Sequence, residues 1–258
     1  MENYGLVSII TPSYNSANYI MDTIESIINQ TYPYWELLIT DDCSTDNSVE
    51  IIANYVVKDS RIKLLKTETN SGAGVCRNKS IENAQGRFIA FCDSDDCWFP
   101  HKLEKQLKFM RLKESALSYS SYMVMDESKT IMGIAVCMSV IDYKAMIRED
   151  GIGCLTAIYD TEKVGKMYFP SIRKRQDWGL WLEILSKCKV SYGIKEPLAY
   201  YRVRRNSISS NKLALVKYNI NIYRTVLKYS YFKAILVFLI IYLPNNFFKK
   251  LRNSLNSL

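Results

Sequence analysis

The first 113 residues repeat one alternation four times, a short apolar run followed by apolar residues at helical spacing. Leu6 to Thr11 (LVSIIT) reads as a strand, and Ile20, Ile24, Ile27 and Ile28 then recur on one helical face. Trp35 to Thr40 (WELLIT) is a second strand, followed by Val49, Ile52, Ala53 and Val56 with Asp46 as N-cap. Residues 62–66 form a third strand and residues 72–84 a helix opened by glycines. Arg87 to Cys92 (RFIAFC) is the fourth strand, and Pro100 opens a helix carrying Leu103, Leu107 and Met110. Strands that alternate with helices fold into an α/β layer structure, a mostly parallel sheet with helices on its faces. After residue 113 the pattern loosens, with a strand over 116–125, short apolar runs and turns over 126–176, and a helix over 177–186. Two short strands, 190–194 and 198–203, follow, and a helical pattern returns from Lys212. A chain of 258 residues accommodates one large α/β domain with an appendage, or two small domains. The expected division is a main domain over 1–205 and a helical, membrane-associating segment over 206–258.

Charge divides the chain at the same place. From Arg202 to the end there are 11 Lys or Arg and no Asp or Glu, which leaves 23 basic against 26 acidic residues before it. The net charge of +8 therefore belongs to the tail. A basic segment beside a near-neutral body reads as an anchor for an anionic surface. Within it Tyr231 to Leu243 (YFKAILVFLIIYL) is the most apolar stretch, 13 residues closed by Pro244. A membrane span needs about 20. The stretch reads either as a buried core helix or as a helix lying in the plane of lipid head groups, and the acid-free flanks favour the second. Basic residues beside an apolar run, rather than interleaved along a groove with base-reading side chains, argue against nucleic acid. The seven cysteines include no C-x-x-C pair and His101 is the sole histidine, so no zinc site is expected and the odd count fits a reducing compartment. No basic-then-apolar leader opens the chain, so no secretory signal is expected.

In an open parallel sheet, ligands bind beyond the carboxyl ends of the strands. Pro12-Ser13-Tyr14-Asn15 follows the first strand, Asp41-Asp42-Cys43-Ser44 the second, and Asp93-Ser94-Asp95-Asp96 the fourth. Three carboxylates within four residues repel one another, and a bound cation would relieve that repulsion. Magnesium-type ions take one or two carboxylates and complete their shell with substrate phosphates. The same cluster also reads as a polar turn capping the next helix. Asp41-Asp42 fits either an Asx-type turn or a hydrogen-bond acceptor for a nucleotide. Asn70-Ser71-Gly72-Ala73-Gly74 has the small residues that let a ligand approach the backbone, without the spacing of a dinucleotide fingerprint. Arg77, one turn further, either faces a diphosphate or is a solvated helix residue.

Taken in order, VSIITPSYN, ESIINQTYPYWELLITDDCSTDNS, the N-x-G-x-G stretch with CRN, GRFIAFCDSDDCWFPHKL and RQDWGLWL resemble the family 2 glycosyltransferases over about residues 5–205. These are inverting enzymes with the GT-A, Rossmann-like nucleotide-sugar fold. The resemblance implies a uridine pocket at Pro12, Tyr14 and Asn15, and a uracil or ribose contact at Asp42 with Asp41 beside it. Asp93-Ser94-Asp95 matches the family's D-x-D element, with Asp95 as ligand of Mn²⁺ or Mg²⁺ and Asp93 facing the donor sugar or ribose. Gly72, Arg77 and Ser94 complete the expected donor site. Asp177 matches the acidic residue of a later E/Q-D-W element and is implied to be the catalytic base. Gln176 stands where Glu is common, so the resemblance carries no second acidic role to that position. Trp178 either packs the acceptor sugar or belongs to the core. A free Asp has a pKa of about 3.9 and starts ionised at neutral pH.

The resemblance extends to bacterial enzymes that build O-antigen or capsule repeat units on undecaprenyl-diphosphate-linked sugars at the cytoplasmic face of the inner membrane. It implies a UDP-glucose or UDP-galactose donor, an N-acetylglucosamine-diphospho-lipid acceptor and a β linkage. Arg202, Arg204 and Arg205 are then expected to meet the acceptor diphosphate. A metal-dependent nucleotidyltransferase and a non-catalytic nucleotide-sugar-binding protein are the competing readings. The first should carry a Gly- and Arg-rich triphosphate loop near the N-terminus, where this chain has TPSYNSANY.

Overall fold

The computed structural model describes residues 2–204 and 212–245, with side chains in the second stretch from residue 216 onward. In chain order the elements are β1 (Val7–Ser13), α1 (Ile20–Ile28), β2 (Trp35–Asp41), α2 (Ser48–Lys58), β3 (Ile62–Lys66), α3 (Ala73–Asn83), β4 (Phe88–Phe91), β5 (Cys97–Trp98) and α4 (Lys102–Leu112). There follow β6 (Leu117–Met125), β7 (Ile131–Ala135), β8 (Val140–Asp142), α5 (Tyr143–Arg148), β9 (Ile158–Asp160), α6 (Thr161–Val164), α7 (Gln176–Cys188) and β10 (Val190–Arg202). The helices α8 (Lys212–Thr225) and α9 (Tyr231–Val237) are the last among the described residues, α9 running on as a π-helical turn, Phe238–Tyr242.

The strands form one sheet in the order β3-β2-β1-β4-β9-β6-β10-β5, with β7 on β6 and β8 on β10. Strands β3, β2, β1, β4, β6 and β10 point one way along that path, while β9 and β5 run against them. The expected α/β fold with a mostly parallel sheet is thus present. Every residue of β1 and β2 is buried, as a parallel strand covered on both faces requires. Period two then sorts their side chains. Val7, Ile9, Leu37 and Ile39 join one core with Ile24 and Ile27 of α1 and Ile52 of α2. Ile10 and Leu38 join the other, with Ile81 of α3 and Trp178 and Trp181 of α7.

Two expectations are corrected. The two short strands over 190–203 are one, β10, whose register against β6 shifts on either side of Pro197; proline has no N–H to give the ladder, and the strand absorbs it as an irregularity. The loose stretch 126–176 contains β9, which separates β4 from β6 and is antiparallel to both. Three residues are too few to show a period.

The expected boundary at 205 falls within 205–211, outside the described residues. Beyond it, Tyr223, Ala234, Phe238 and Tyr242 pack into the same core as α7. The Tyr231–Leu243 stretch is only in part the buried core helix of the first reading. One face is buried, while Phe232, Leu236, Leu239, Ile240 and Leu243 are exposed. Among the described residues no helix is long and apolar enough to cross a membrane.

Candidate active site

The carboxyl ends of β1 and β2 are locked side by side. Ser13 pairs with Asp41 in the ladder, and the Asp42 N–H donates to the Ser13 carbonyl at 2.8 Å. Asn15 holds a left-handed conformation, φ +46°, which Asn tolerates better than most residues. Its side-chain oxygen accepts from the Thr45 N–H at 2.8 Å, and its own N–H donates to the Ser44 hydroxyl at 2.9 Å. Pro12 is buried in β1, whereas the Tyr14 ring is exposed. Asp41 accepts from the Ser44 N–H and hydroxyl. Asp42 accepts from the backbone N–H groups of Ser71 and Gly72, at 2.8 and 2.7 Å, and from the Thr67 hydroxyl. Asp42 thereby ties the loop after β3 to the end of β2. Gly72 makes the turn into α3 at φ +88°, a conformation suited to glycine.

The loop after β4 is drawn into the same place by Arg77 of α3, whose Nη2 lies 2.6 Å from Asp93 Oδ1. Burial opposes the Arg77 charge, but Asp93, Cys154 and Asp177 around it raise its pKa above the ordinary arginine value. Ser94 is buried. Burial and the Asp93 charge push the Asp95 carboxyl upward, with Arg204 partly offsetting them through Nη1, 3.1 Å from Asp95 Oδ2. Burial, with Asp95 and Asp93 adding repulsion, raises Asp96 well above the carboxylate range. Asp96 Oδ1 accepts from the Arg202 N–H at 2.9 Å, so it braces the turn from inside.

Asp177 stands in the first turn of α7, half-buried, just after Arg175 in a left-handed conformation at φ +64°. The start of α7 abuts the start of α3: a Cβ at Gly74 would collide with the Gln176 side chain. The Gln176 amide donates to the Ile172 carbonyl at 2.5 Å. A carboxylate in its place has no hydrogen to donate, which accounts for Gln locally. Arg77, one turn along α3 from Gly74, senses both Asp93 and Asp177. Asp93 and Asp177 thus both lie within electrostatic range of the Arg77 guanidinium.

The model of the glycosyl transferase family 2 matches residues 8–159, more than half of the chain. The chain is a family 2 glycosyltransferase. Bacillus subtilis TuaG, named for teichuronic acid biosynthesis, is 44% identical over 89% of this chain and 91% of its own. Escherichia coli WfgD, a UDP-Glc:alpha-D-GlcNAc-diphosphoundecaprenol beta-1,3-glucosyltransferase, is 40% identical over 84% of each. WfaP of the same organism carries the same description at 41% identity over 80% of this chain and 81% of its own. Among solved structures, S. aureus TarS in complex with UDP-GlcNAc superposes with a TM-score of 0.71 at 22% identity, over 90% of this chain and 70% of that one. The mannosyltransferase PcManGT of Pyrobaculum calidifontis, with GDP-Man and Mn²⁺, gives 0.64 at 15% identity, over 87% of this chain and 64% of that one. These likenesses establish the GT-A fold.

Two expected acceptor contacts of this glycosyltransferase lie elsewhere. Trp178 is fully buried; its ring packs against Tyr223 and Tyr242 and its indole N–H donates to the Met146 carbonyl at 2.7 Å. It is a core residue. The Arg202 side chain is 1% exposed, with Nη2 3.0 Å from Asp22 Oδ2 and Nε donating to the Asp95 carbonyl at 2.8 Å. It fastens the acidic loop to α1 and has no free face for a lipid diphosphate. Arg204 reaches Asp95, and Arg205 lies outside the described residues.

The structure adds residues that sequence reasoning missed. Tyr122 and Tyr201, on adjacent strands β6 and β10, stand edge to face with ring centroids 5.9 Å apart. Burial, with Asp96, Asp95 and Asp93 nearby, pushes Tyr201 up to about 12. Burial raises Tyr122 too, with contributions from Asp96, Asp150 and Asp177. The two rings form an aromatic wall beside the carboxylates. Cys154 is half-buried near Arg77, Asp93 and Asp177, and desolvation holds its thiol far above the ordinary range. Among these, only the excess of tyrosine, 19 in the chain, was visible in sequence.

Proposed function

We propose that this glycosyltransferase moves a hexose, glucose or galactose, from UDP to N-acetylglucosamine carried on undecaprenyl diphosphate, with inversion to a β linkage. The product would serve O-antigen or related surface-polysaccharide synthesis at the cytoplasmic face of the bacterial inner membrane, with the enzyme peripherally attached. Its donor and acceptor classes are those in the names of WfgD and WfaP. The observation that best supports the mechanism is Arg77, bonded to Asp93 and within electrostatic reach of Asp177, a single cation near both the proposed donor-side acid and the proposed base.

The residues fit a divalent cation of one kind. Among the described residues no three His, Cys, Asp or Glu form a cage. Asp95 is instead a single carboxylate under like-charge strain, neutralised by a protein cation. Mn²⁺ or Mg²⁺, which accept one or two carboxylates and take the rest of their shell from diphosphate and water, suit that donor set. Asp95 would hold the ion, which when bound supplies Lewis-acid neutralisation of the diphosphate.

The protein's own groups do the remainder. Asn15, Asp41 and Asp42 shape the floor for the nucleotide through their fixed loops, and Arg77 keeps Asp93 aimed at the sugar. Asp177 takes the proton of the acceptor hydroxyl as its oxygen attacks the anomeric carbon. The bond from that carbon to the diphosphate oxygen breaks, its electron pair leaving with UDP. Attack from the opposite face inverts the centre through an oxocarbenium-like state. Incubation with a panel of UDP-sugars, Mn²⁺ and synthetic lipid-diphosphate sugars, with linkages assigned by NMR, tests the reading. Release of pyrophosphate, or no transfer from any UDP-sugar, would overturn it.

A further inference from the structure

The stretch from Tyr231 to Leu243 uses two opposite faces. Ala234, Phe238 and Tyr242, spaced by four, close the core over Trp178. The outer face is also apolar, with Phe232 74%, Ile240 67% and Leu239 50% exposed. A helix that serves only to cap a core has no use for such residues on its solvent side.

The surroundings indicate what covers that face. No acidic residue occurs from Arg202 to the end of the chain. Arg224 lies over the Tyr231 ring at 5.4 Å, and Lys233 over the Tyr229 ring at 3.9 Å, so cations border the apolar face at its leading edge. Apolar residues with flanking tyrosines and long cationic side chains are the composition of a lipid interface. A two-fold contact between copies would set this basic surface against itself. Negatively charged head groups complement it.

We propose that the outer face of α9 and its π turn, with Arg224 and Lys233, seats the enzyme in plane on an anionic lipid bilayer. Tyr242 and Tyr223, packed on Trp178 with ring centroids 5.5 and 5.7 Å away, carry the seat directly to the helix that bears Asp177. The proposed base thereby sits on α7, the helix packed against the element that meets the membrane, where a lipid-linked acceptor presents its sugar. This rests on the proposed function for its acceptor, and on the exposed face alone for its lipid.

Co-sedimentation with vesicles of phosphatidylglycerol and phosphatidylcholine, against phosphatidylcholine alone, tests it. The full chain should bind the anionic vesicles at least about tenfold more tightly, and the preference should shrink as salt screens the cations. Phe232→Ser with Ile240→Ser, both exposed, should cut that binding about tenfold with the melting temperature retained. Transfer to a short-chain, water-soluble acceptor should stay unchanged in the double variant. Equal binding of native and variant proteins to anionic vesicles would overturn the seat. So would a dimer in solution that the double variant dissolves without any change in vesicle binding. Absence of transfer to the soluble acceptor by the native enzyme, with vesicle binding intact, would count against the glycosyl-transfer reading and leave the lipid seat supported.

Discussion

Arg204 Nη1 lies 3.1 Å from Asp95 Oδ2, so a protein cation occupies the carboxylate proposed to hold the metal. Arg202, two residues earlier, is fixed to Asp22 and to the Asp95 carbonyl. The first arginine can let go, since it is about one-third exposed; the second is sealed.

Arg204→Gln should therefore tighten Mn²⁺ binding in the absence of donor. An ion pair this exposed contributes at most about 1 kcal/mol, so the gain should be about fivefold or less. Isothermal titration without nucleotide checks it. Weaker binding would mean that Arg204 supports the metal site rather than competing for it.

Trp178 separates packing from recognition. Trp178→Ala should cost about 3–5 kcal/mol through the cavity it leaves between α7 and the C-terminal helices. Trp178→Phe should recover most of that stability and leave the acceptor KM near native. Denaturant unfolding and steady-state kinetics on both variants distinguish a core residue from a sugar platform; a large rise in KM alone would restore the latter.

Lys102 gives a pH signature. It is fully buried, with Nζ donating to Gln106 at 2.9 Å and to the Thr156 carbonyl at 3.4 Å. Burial lowers its pKa to about 7, with Cys92 opposing weakly. In the unfolded chain lysine holds its proton to about pH 10.4. Between those values the unfolded state binds more protons, so this group makes stability rise with pH from about 7 to 10. Below 7 both states are protonated and the penalty is constant, on the order of 5 kcal/mol. Buried cysteines and tyrosines act in the opposite sense above about pH 8.5. The difference between native and Lys102→Met proteins in urea isolates the lysine. A difference independent of pH would refute the assignment.

The parallel half of the sheet was legible because its strands are apolar throughout and its helices bury one face each. The acids at 41–42 and 93–96 were legible because they directly follow strands. What sequence hid was pairing over distance. Asp22 and Arg202 meet across 180 residues, and nothing local distinguishes Arg202 from Arg204. Residue type alone could not say that Trp178 turns inward, because helix α7 is buried on more than one side. Tyr122 and Tyr201 share a wall because β6 and β10, far apart in sequence, pair side by side in the sheet.

The central claim is that Asp177 removes the acceptor proton in a cleft where donor binding belongs to other residues. Its most direct test compares Asp177→Asn with the native enzyme for UDP-sugar affinity by titration and for transfer by product formation, both with Mn²⁺. The account predicts donor affinity within about threefold of native and transfer slower by about 10²–10⁴. Transfer at the native rate by the Asp177→Asn enzyme would contradict it.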